Sequence, residues 1–444
     1  MAERLKRAGT IYQAAVTKKQ AVQGAVSLAC VATQITHLIE MTTLQQEATP
    51  PTRIGETEYE LTPERIAILD TADRFARREL APLFAKMDAH EWWPPDIMRT
   101  IGAAGLIGVA VDPEYGGAGM DFFCQALVIQ AFARHNSSIG LSYAGHENLF
   151  INNLDRNGTA RQKEKYLPGC IVGELIGALG MTEPGAGSDA IGSMATTARR
   201  DGDDYVLNGR KIFITNGPIA DVMIVYARTM PGRDAKGVSA FLVEKNFQGF
   251  SVDQKKIKIK HRGTPTGGLV IGNSRVHADN LLGEEDRGVA IMMSGLDLER
   301  AIVGAHALGV AERALEITVE YAKQRVQFGE PIASFQMVQA LLAEMYTSVE
   351  TMRQMVYYTL AKCNRLARTE GGRGEIHKLT AATVLFCGTA LQKICDSAVQ
   401  VHGGMGYMWE SEVNRLYRAA KVFEIGAGTN EIRRLIIAGE LLKA

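Results

Sequence analysis

Glu299, in the run "SGLDLERAIVGAHALGV", stands three residues after Leu296, three before Ile302 and four before Val303. In a helix those spacings share one face, so the carboxylate points to the apolar side. A buried carboxylate is costly unless it is paired or has a task, and its pKa drifts up toward what a general base needs at neutral pH. The bland alternatives are a salt bridge to Arg300 or Arg325, or an acid in the first turn of a helix capped by Ser294 or Asp297.

Three further stretches have residue types that suit phosphates or flat rings. "GAGSDA", 185–190, nominally fits G-x-G-x-x-G/A, but a strand-like segment follows it instead of a helix, so a Rossmann reading is rejected. What remains is a glycine-rich loop whose N–H groups, with Thr182 and Ser188, can cradle a phosphate or a ring edge; an ordinary tight turn is the alternative. "RVQFGEPIASFQ" joins Arg325 to Gln336 across a turn, and guanidinium binds phosphate bidentately. "QVHGGMGYMWE", from Gln400, places Gly403 and Gly404 together, which permits close backbone approach or merely caps a helix.

The whole chain narrows the choice. Its 444 residues imply about two or three packed units. Lysine plus arginine equals aspartate plus glutamate at 49 each, which argues against nucleic acid as the main partner. Six scattered cysteines form no C-x-x-C pair and no metal spacing, so neither disulfides nor a metal site is expected and the compartment is reducing. No apolar run approaches the ~20 residues of a membrane helix.

The elements that must hold these groups follow from periodicity. Apolar residues recur at three and four from "LTPERIAILD" to "EKYLPGC", switch to alternation from "TTARRDGDDYVLNGRKIFITNG" to "GGLVIGNSRV", and return to helical spacing from about Gly288. Asn208-Gly209 reads as a two-residue hairpin turn. The expected organisation is an α+β multidomain chain: a leader or disordered tail over 1–57, a helical domain over 58–175, a β-domain over 176–287 and a helical bundle over 288–444. The basic, acid-poor first forty residues admit three readings: an organelle-targeting segment, a tail, or a natural start at Met41. They imply a mitochondrial matrix location in the first case and a cytoplasmic one for a bacterial protein.

"MTEPGAGSD", "NGRKIFITNG", "RVQFGEPIASFQ", "QVHGGMGY" and "IGAGTNEIRR" occur in one order, and together they resemble the acyl-CoA dehydrogenase family of flavoproteins from about residue 58 to the C-terminus. The resemblance implies an all-α N-terminal domain, a middle β-barrel or sheet domain and a C-terminal four-helix bundle. It also implies a homotetramer with FAD at a subunit interface, an acyl-CoA substrate and electron-transfer flavoprotein as acceptor. By resemblance Leu179, Thr182, Gly187, Ser188, Phe213, Ile214 and Thr215 lie along the flavin. Arg325, Gln336, Gln400, Gly403, Gly404, Thr429 and Glu431 serve the pyrophosphate and adenosine side. Ser188, Asp297, Arg300, Ala427 and Gly428 would contact substrate.

Most of the family carries its catalytic glutamate in a motif resembling "YEGT"; here the aligned run is "IGAGT", with Ala427 in that place. A smaller group, the isovaleryl-CoA type, puts the base on the helix that begins "LDLER", a run present verbatim at 296–300. The resemblance therefore makes Glu299 the base, the Ala427 N–H an oxyanion donor together with a flavin hydroxyl, and the reaction α,β-dehydrogenation of a short branched acyl-CoA. The alanine leaves room for a methyl branch. Longer or terpenoid branched acids, an oxidase on the same scaffold, and a flavin-bound binder without chemistry are the rival readings. Departures from the family pattern, Lys260 for glycine, Gly268 for an acid, Ile271 for phenylalanine and His277 for proline, put the CoA contacts and chain length in question.

Overall fold

The computed structural model describes residues 61–232, 236–253, 255–366 and 373–443; the expected leader lies outside them. The order is helices, sheet, helices. The first block holds α1 (Pro63–Phe75), α2 (Phe84–His90), α3 (Ile97–Ala103), α4 (Phe122–Ala144), a π-helical turn over Gly145–Asn152, α5 (Asn153–Asn157) and α6 (Ala160–Ile171). Asp121 caps α4 and Thr159 caps α6 in a reciprocal capping box with Gln162.

Eight strands follow: β1 (Gly177–Gly180), β2 (Thr197–Asp201), β3 (Asp204–Thr215), β4 (Val222–Arg228), β5 (Val238–Glu244), β6 (Phe250–Val252), β7 (Thr266–His277) and β8 (Leu281–Leu282). They form one sheet in the order β6-β7-β3-β2-β4-β5-β8, with β1 added parallel to β4. Alternation splits β4 between two cores. Val222, Ile224 and Tyr226 pack into the large core shared with the helices, whereas Met223, Val225 and Ala227 pack into the sheet's own core.

Asn208-Gly209 is not the hairpin. Strand β3 runs straight through it, with a register shift between Leu207 and Gly209, and the turn joining β2 to β3 is Gly202-Asp203, where Asp201 pairs with Asp204. Gly202, at φ 66°, supplies the left-handed residue there, while the Asn208 side chain bonds Asn273 across the bulge. Two turn signals lie six residues apart, and the pairing partner decides between them.

The last block holds α7 (Gly288–Gln324), the short pair β9 (Val326–Gln327) and β10 (Glu330–Pro331), α8 (Gln336–Leu366), α9 (Arg373–His402), α10 (Gly404–Tyr407), α11 (Glu412–Ala420) and α12 (Asn430–Leu441). Helix α7 starts at Gly288, so neither Ser294 nor Asp297 caps it, and Glu299 sits more than two turns inside.

Lys260, a departure from the pattern the resemblance implies, belongs to a three-block junction. Its Nζ lies 2.8 Å from Asp88 at the end of α2, and Arg418 of α11 reaches the other Asp88 oxygen at 2.6 Å. The Lys260 and Asp88 side chains are each 2% exposed. This substitution therefore changes the seam between blocks, where a buried cation is matched by a buried anion.

Candidate active site

Glu299 lies on α7 where that helix crosses β1, β4 and α5, and its residual accessible surface opens into a narrow cavity. Leu149, Leu179, Met181, Met292 and Leu296 make the wall apolar. No ion pair or hydrogen bond holds its carboxylate among the described residues, so both bland alternatives for this residue fail. Arg325 is exposed at the far end of α7, and Arg300 pairs with Asp297. Burial pushes the Glu299 carboxyl up to about 7, against the opposing pull of Arg300 and Arg433. An apolar cavity holding one unpaired carboxyl that titrates near neutrality is the arrangement a general base requires.

The loop expected to carry the family's usual glutamate sits on the neighbouring turn. Arg300 Nε donates to the Ala427 carbonyl at 3.3 Å, tying α7 to the loop 423–430. Ala427 has φ 55° and Gly428 φ 94°, so the chain reverses in left-handed conformations there. The Ala427 N–H makes no backbone hydrogen bond among the described residues and stays available as a donor. Arg433, 0% exposed, fastens the loop from inside by donating to the Phe423 carbonyl at 2.6 Å, to Asn430 Oδ1 at 2.7 Å and to the Gly426 carbonyl.

Two residues expected to touch substrate are not among those lining this cavity. Asp297 and Arg300 are each 4% exposed and bonded to one another at 3.0 Å, and Asp297 also meets His377 Nδ1 at 2.6 Å. They lie off the Glu299 face, as their spacing dictates, and their side chains support the loop and α9. Sequence reasoning missed Arg433, His377 and Tyr226. "TNEIRR" contained the first without distinguishing it, and Tyr226 is the one polar-tipped side chain in the otherwise apolar run "VMIVYA".

A second group of expected residues meets where β1 continues into the glycine-rich loop. The Ile212 N–H donates to the Thr182 carbonyl at 2.9 Å, bringing β3 beside Thr182. The loop is anchored by Glu183, which accepts from the Ala195 and Thr196 amides and pairs with the fully buried Lys211 at 2.8 Å. A bulge between Lys211 and Ile214 turns Phe213 outward at φ 62°, with the residue 65% exposed. Gly187 and Ser188 are exposed, and a Cβ at Gly187 would meet nothing. Ile214 differs from expectation: its side chain is 3% exposed in the sheet core, which leaves only its main chain to face a ring. Thr215 is half-buried beside the π-helical turn, its Cγ2 close to Gly145.

A third group gathers at the end of the bundle. The Tyr321 ring stacks on His402 at 4.1 Å, which sets the Arg325 turn next to Gln400, Gly403 and Gly404. Gln336 opens α8 just beyond, and all five are exposed. Thr429 caps α12 and, with the exposed Glu431, lines an open pocket. The expected FAD residues thus fall into three groups. They fit FAD as separate pieces: an outward aromatic ring on a strained bulge, an unobstructed glycine loop, and an exposed arginine beside two glycines free of neighbours.

Family models described as the N-terminal, middle and C-terminal domains of acyl-CoA dehydrogenase match residues 62–174, 178–274 and 286–442. The chain belongs to the acyl-CoA dehydrogenase family. It is 42% identical to a mitochondrial isovaleryl-CoA dehydrogenase of Oryza sativa subsp. japonica, over 84% of this chain and 90% of that protein. It is 41% identical to an acyl-CoA dehydrogenase of Bacillus subtilis, over 86% and 99%. Among solved structures, butyryl-CoA dehydrogenase of Megasphaera elsdenii superposes with a TM-score of 0.82 at 34% identity, covering 86% and 99%. The acyl-CoA dehydrogenase reading of fold, FAD dependence and oxidoreductase activity therefore holds. No helix among the described residues is long and apolar enough to cross a membrane.

Proposed function

We propose that this acyl-CoA dehydrogenase acts on a short branched-chain acyl-CoA of the isovaleryl type, with Glu299 as the base that removes the α proton, giving the 2,3-enoyl-CoA. The observation that carries the reading is the unpaired Glu299 carboxyl in a mostly apolar cavity, on a helix that the next residue, Arg300, bonds to the loop whose own carboxylate position is Ala427. An α C–H beside a thioester is a weak acid, so the developing enolate oxygen needs fixed donors, and the unbonded Ala427 N–H is one. The apolar wall excludes water and keeps Glu299 basic at neutral pH. Bound FAD supplies the hydride acceptor. Thr182, Ser188 and Phe213 would hold its ring end, Arg325, Gln336, Gln400, Gly403 and Gly404 its phosphate end, and Thr429 with Glu431 the remaining contact.

Names among the relatives support the substrate class: isovaleryl-CoA dehydrogenases of plants and mammals and a 2-methylacyl-CoA dehydrogenase of Solanum tuberosum at 40% identity. Electron-transfer flavoprotein is the proposed acceptor, supported by a neighbour from a structure titled for the electron transferring flavoprotein of Acidaminococcus fermentans, at a TM-score of 0.83. A homotetramer is proposed from the outward apolar side chains of the bundle: Phe328 is 96% exposed and Met337 81%.

Turnover of isovaleryl-, isobutyryl-, butyryl-, octanoyl- and citronellyl-CoA with a dye acceptor tests the substrate. The highest kcat/KM is expected with isovaleryl-CoA; preference for a straight or terpenoid chain would overturn the assignment. Rapid recolouring of the substrate-reduced enzyme in air would mark an oxidase instead. Ala427→Glu tests the space argument. The added carboxylate fills the room left for a branch, so isovaleryl-CoA kcat/KM should fall about tenfold or more relative to butyryl-CoA. An unchanged ratio would count against it.

A further inference from the structure

Two residues that line the Glu299 cavity each carry a buried polar atom with no hydrogen-bond partner: the hydroxyl of Tyr226, a residue 0% exposed, and Oδ1 of Asn153, which is 3% exposed. Both are costly to leave unsatisfied. The orientation of the Asn153 amide is forced, since its Nδ2 donates to the Leu149 carbonyl at 2.8 Å and only a nitrogen can do that. Its oxygen therefore faces α7 as a pure acceptor. It lies over Gly295, where an added Cβ would come within 2.7 Å of it. Gly295 is four residues before Glu299, and a helical side chain leans back over the turn preceding it, so Asn153 Oδ1 borders the space the Glu299 side chain occupies. From the sheet side, β4 aims Tyr226 into the same cavity.

The chemistry of the two atoms is complementary. A buried phenol offers a proton, and an ionised carboxylate only accepts; an amide oxygen only accepts, and a protonated carboxyl has one O–H to give. Resting on the reading of Glu299 as base, the geometry points to Tyr226 and Asn153 as a pair of positioning residues whose bonds to Glu299, not formed in this structure, form when its side chain turns to them: the phenol donates to the carboxylate before proton transfer, and the amide oxygen accepts from the carboxylic acid afterwards. The α proton moves from substrate carbon to the Glu299 oxygen and stays there, facing Asn153, while product leaves. The charged groups around the carboxyl are Arg300 on its own helix and Arg433 from α12, both lowering its pKa. Asp297 is spent on Arg300 and His377. The other cavity-lining side chains are apolar.

The two contacts act with opposite sign. A donor favours the charged form and an acceptor the neutral one. In the holoenzyme, the infrared carboxylic-acid band that Glu299→Gln abolishes should be titrated in wild type, Tyr226→Phe and Asn153→Leu, alongside the pH profile of flavin reduction. Tyr226→Phe, which keeps the ring, is expected to raise the midpoint by about one pH unit, and Asn153→Leu to lower it by about one, the size of one lost hydrogen bond. Unchanged midpoints, or two shifts in the same direction, overturn the pair; if Asn153→Leu does not fold, Tyr226→Phe alone decides. Normal turnover by Glu299→Gln would sink the base assignment separately, because the band still reports on the pair.

Discussion

Glu299→Gln is expected to bind FAD and acyl-CoA normally and to lose flavin reduction by 10²- to 10⁴-fold, the range about one general base contributes. Glutamine fills the same volume, so a structural role would leave the rate nearly intact. The wild-type rate should rise with pH through about 7, where the buried carboxyl gives up its proton, and then level off. The variant's residual rate should show no such step. The same substitution should change stability in the opposite sense. Burial raises the Glu299 carboxyl from 4.5 to about 7. Below 4.5 the folded and unfolded states both carry the proton and nothing is lost. As pH climbs to 7 the unfolded chain ionises first, and stability falls by up to about 3 kcal/mol. Above pH 7 the variant should therefore melt at a higher temperature than wild type. Turnover close to normal would remove Glu299 from the mechanism, and equal melting curves at pH 8 would mean that burial does not raise its pKa.

Asp88→Asn is expected to be the most destabilising single change at the seam between blocks, by about 3–5 kcal/mol in denaturant unfolding. Asp88 accepts from Lys260 at 2.8 Å and from Arg418 at 2.6 Å, and its main-chain oxygen accepts from Arg262 at 2.7 Å. Burial already pulls the Lys260 ammonium down to about 7, with Asp88 pulling the other way. Without the carboxylate, Lys260 sheds its proton, while Arg418, its side chain 10% exposed, keeps a charge with no counterion at that position. Adding Lys260→Met should recover part of the loss, since a flexible apolar side chain replaces the stem without the charge. A loss under about 1 kcal/mol would mean that the seam is wet and the ions screened.

The inward direction of Glu299 was legible in the sequence because it depends on one helix. A residue three and four positions from apolar neighbours faces where they face, and α7 satisfies that from Gly288 to Gln324. The start of that helix was not legible, because Ser294 and Asp297 are plausible caps and only packing against the sheet carries the helix past them. The loop at 425–429 was readable as lacking an acid, and the motifs around it placed the chain in its family. The roles given to Asp297 and Arg300 came from that placement, whereas their burial against each other depends on α9 and on the loop, far apart in sequence.

Tyr226 illustrates the other limit. Every residue of β4 is buried, so the strand shows no alternation from which to tell its two faces apart. Only the stacking of α7 on one side of the sheet decides that Tyr226 lines the Glu299 cavity and Val225 does not. The hairpin at Gly202-Asp203, the Lys260–Asp88 pair and the Asn153 oxygen over Gly295 are likewise decided by partners distant in the chain. Sequence by itself determined the elements, the apolar faces and the family, all carried by short-range spacing or by motif order. Tertiary structure decided which polar groups find partners and which remain open, because burial is a property of what packs on top.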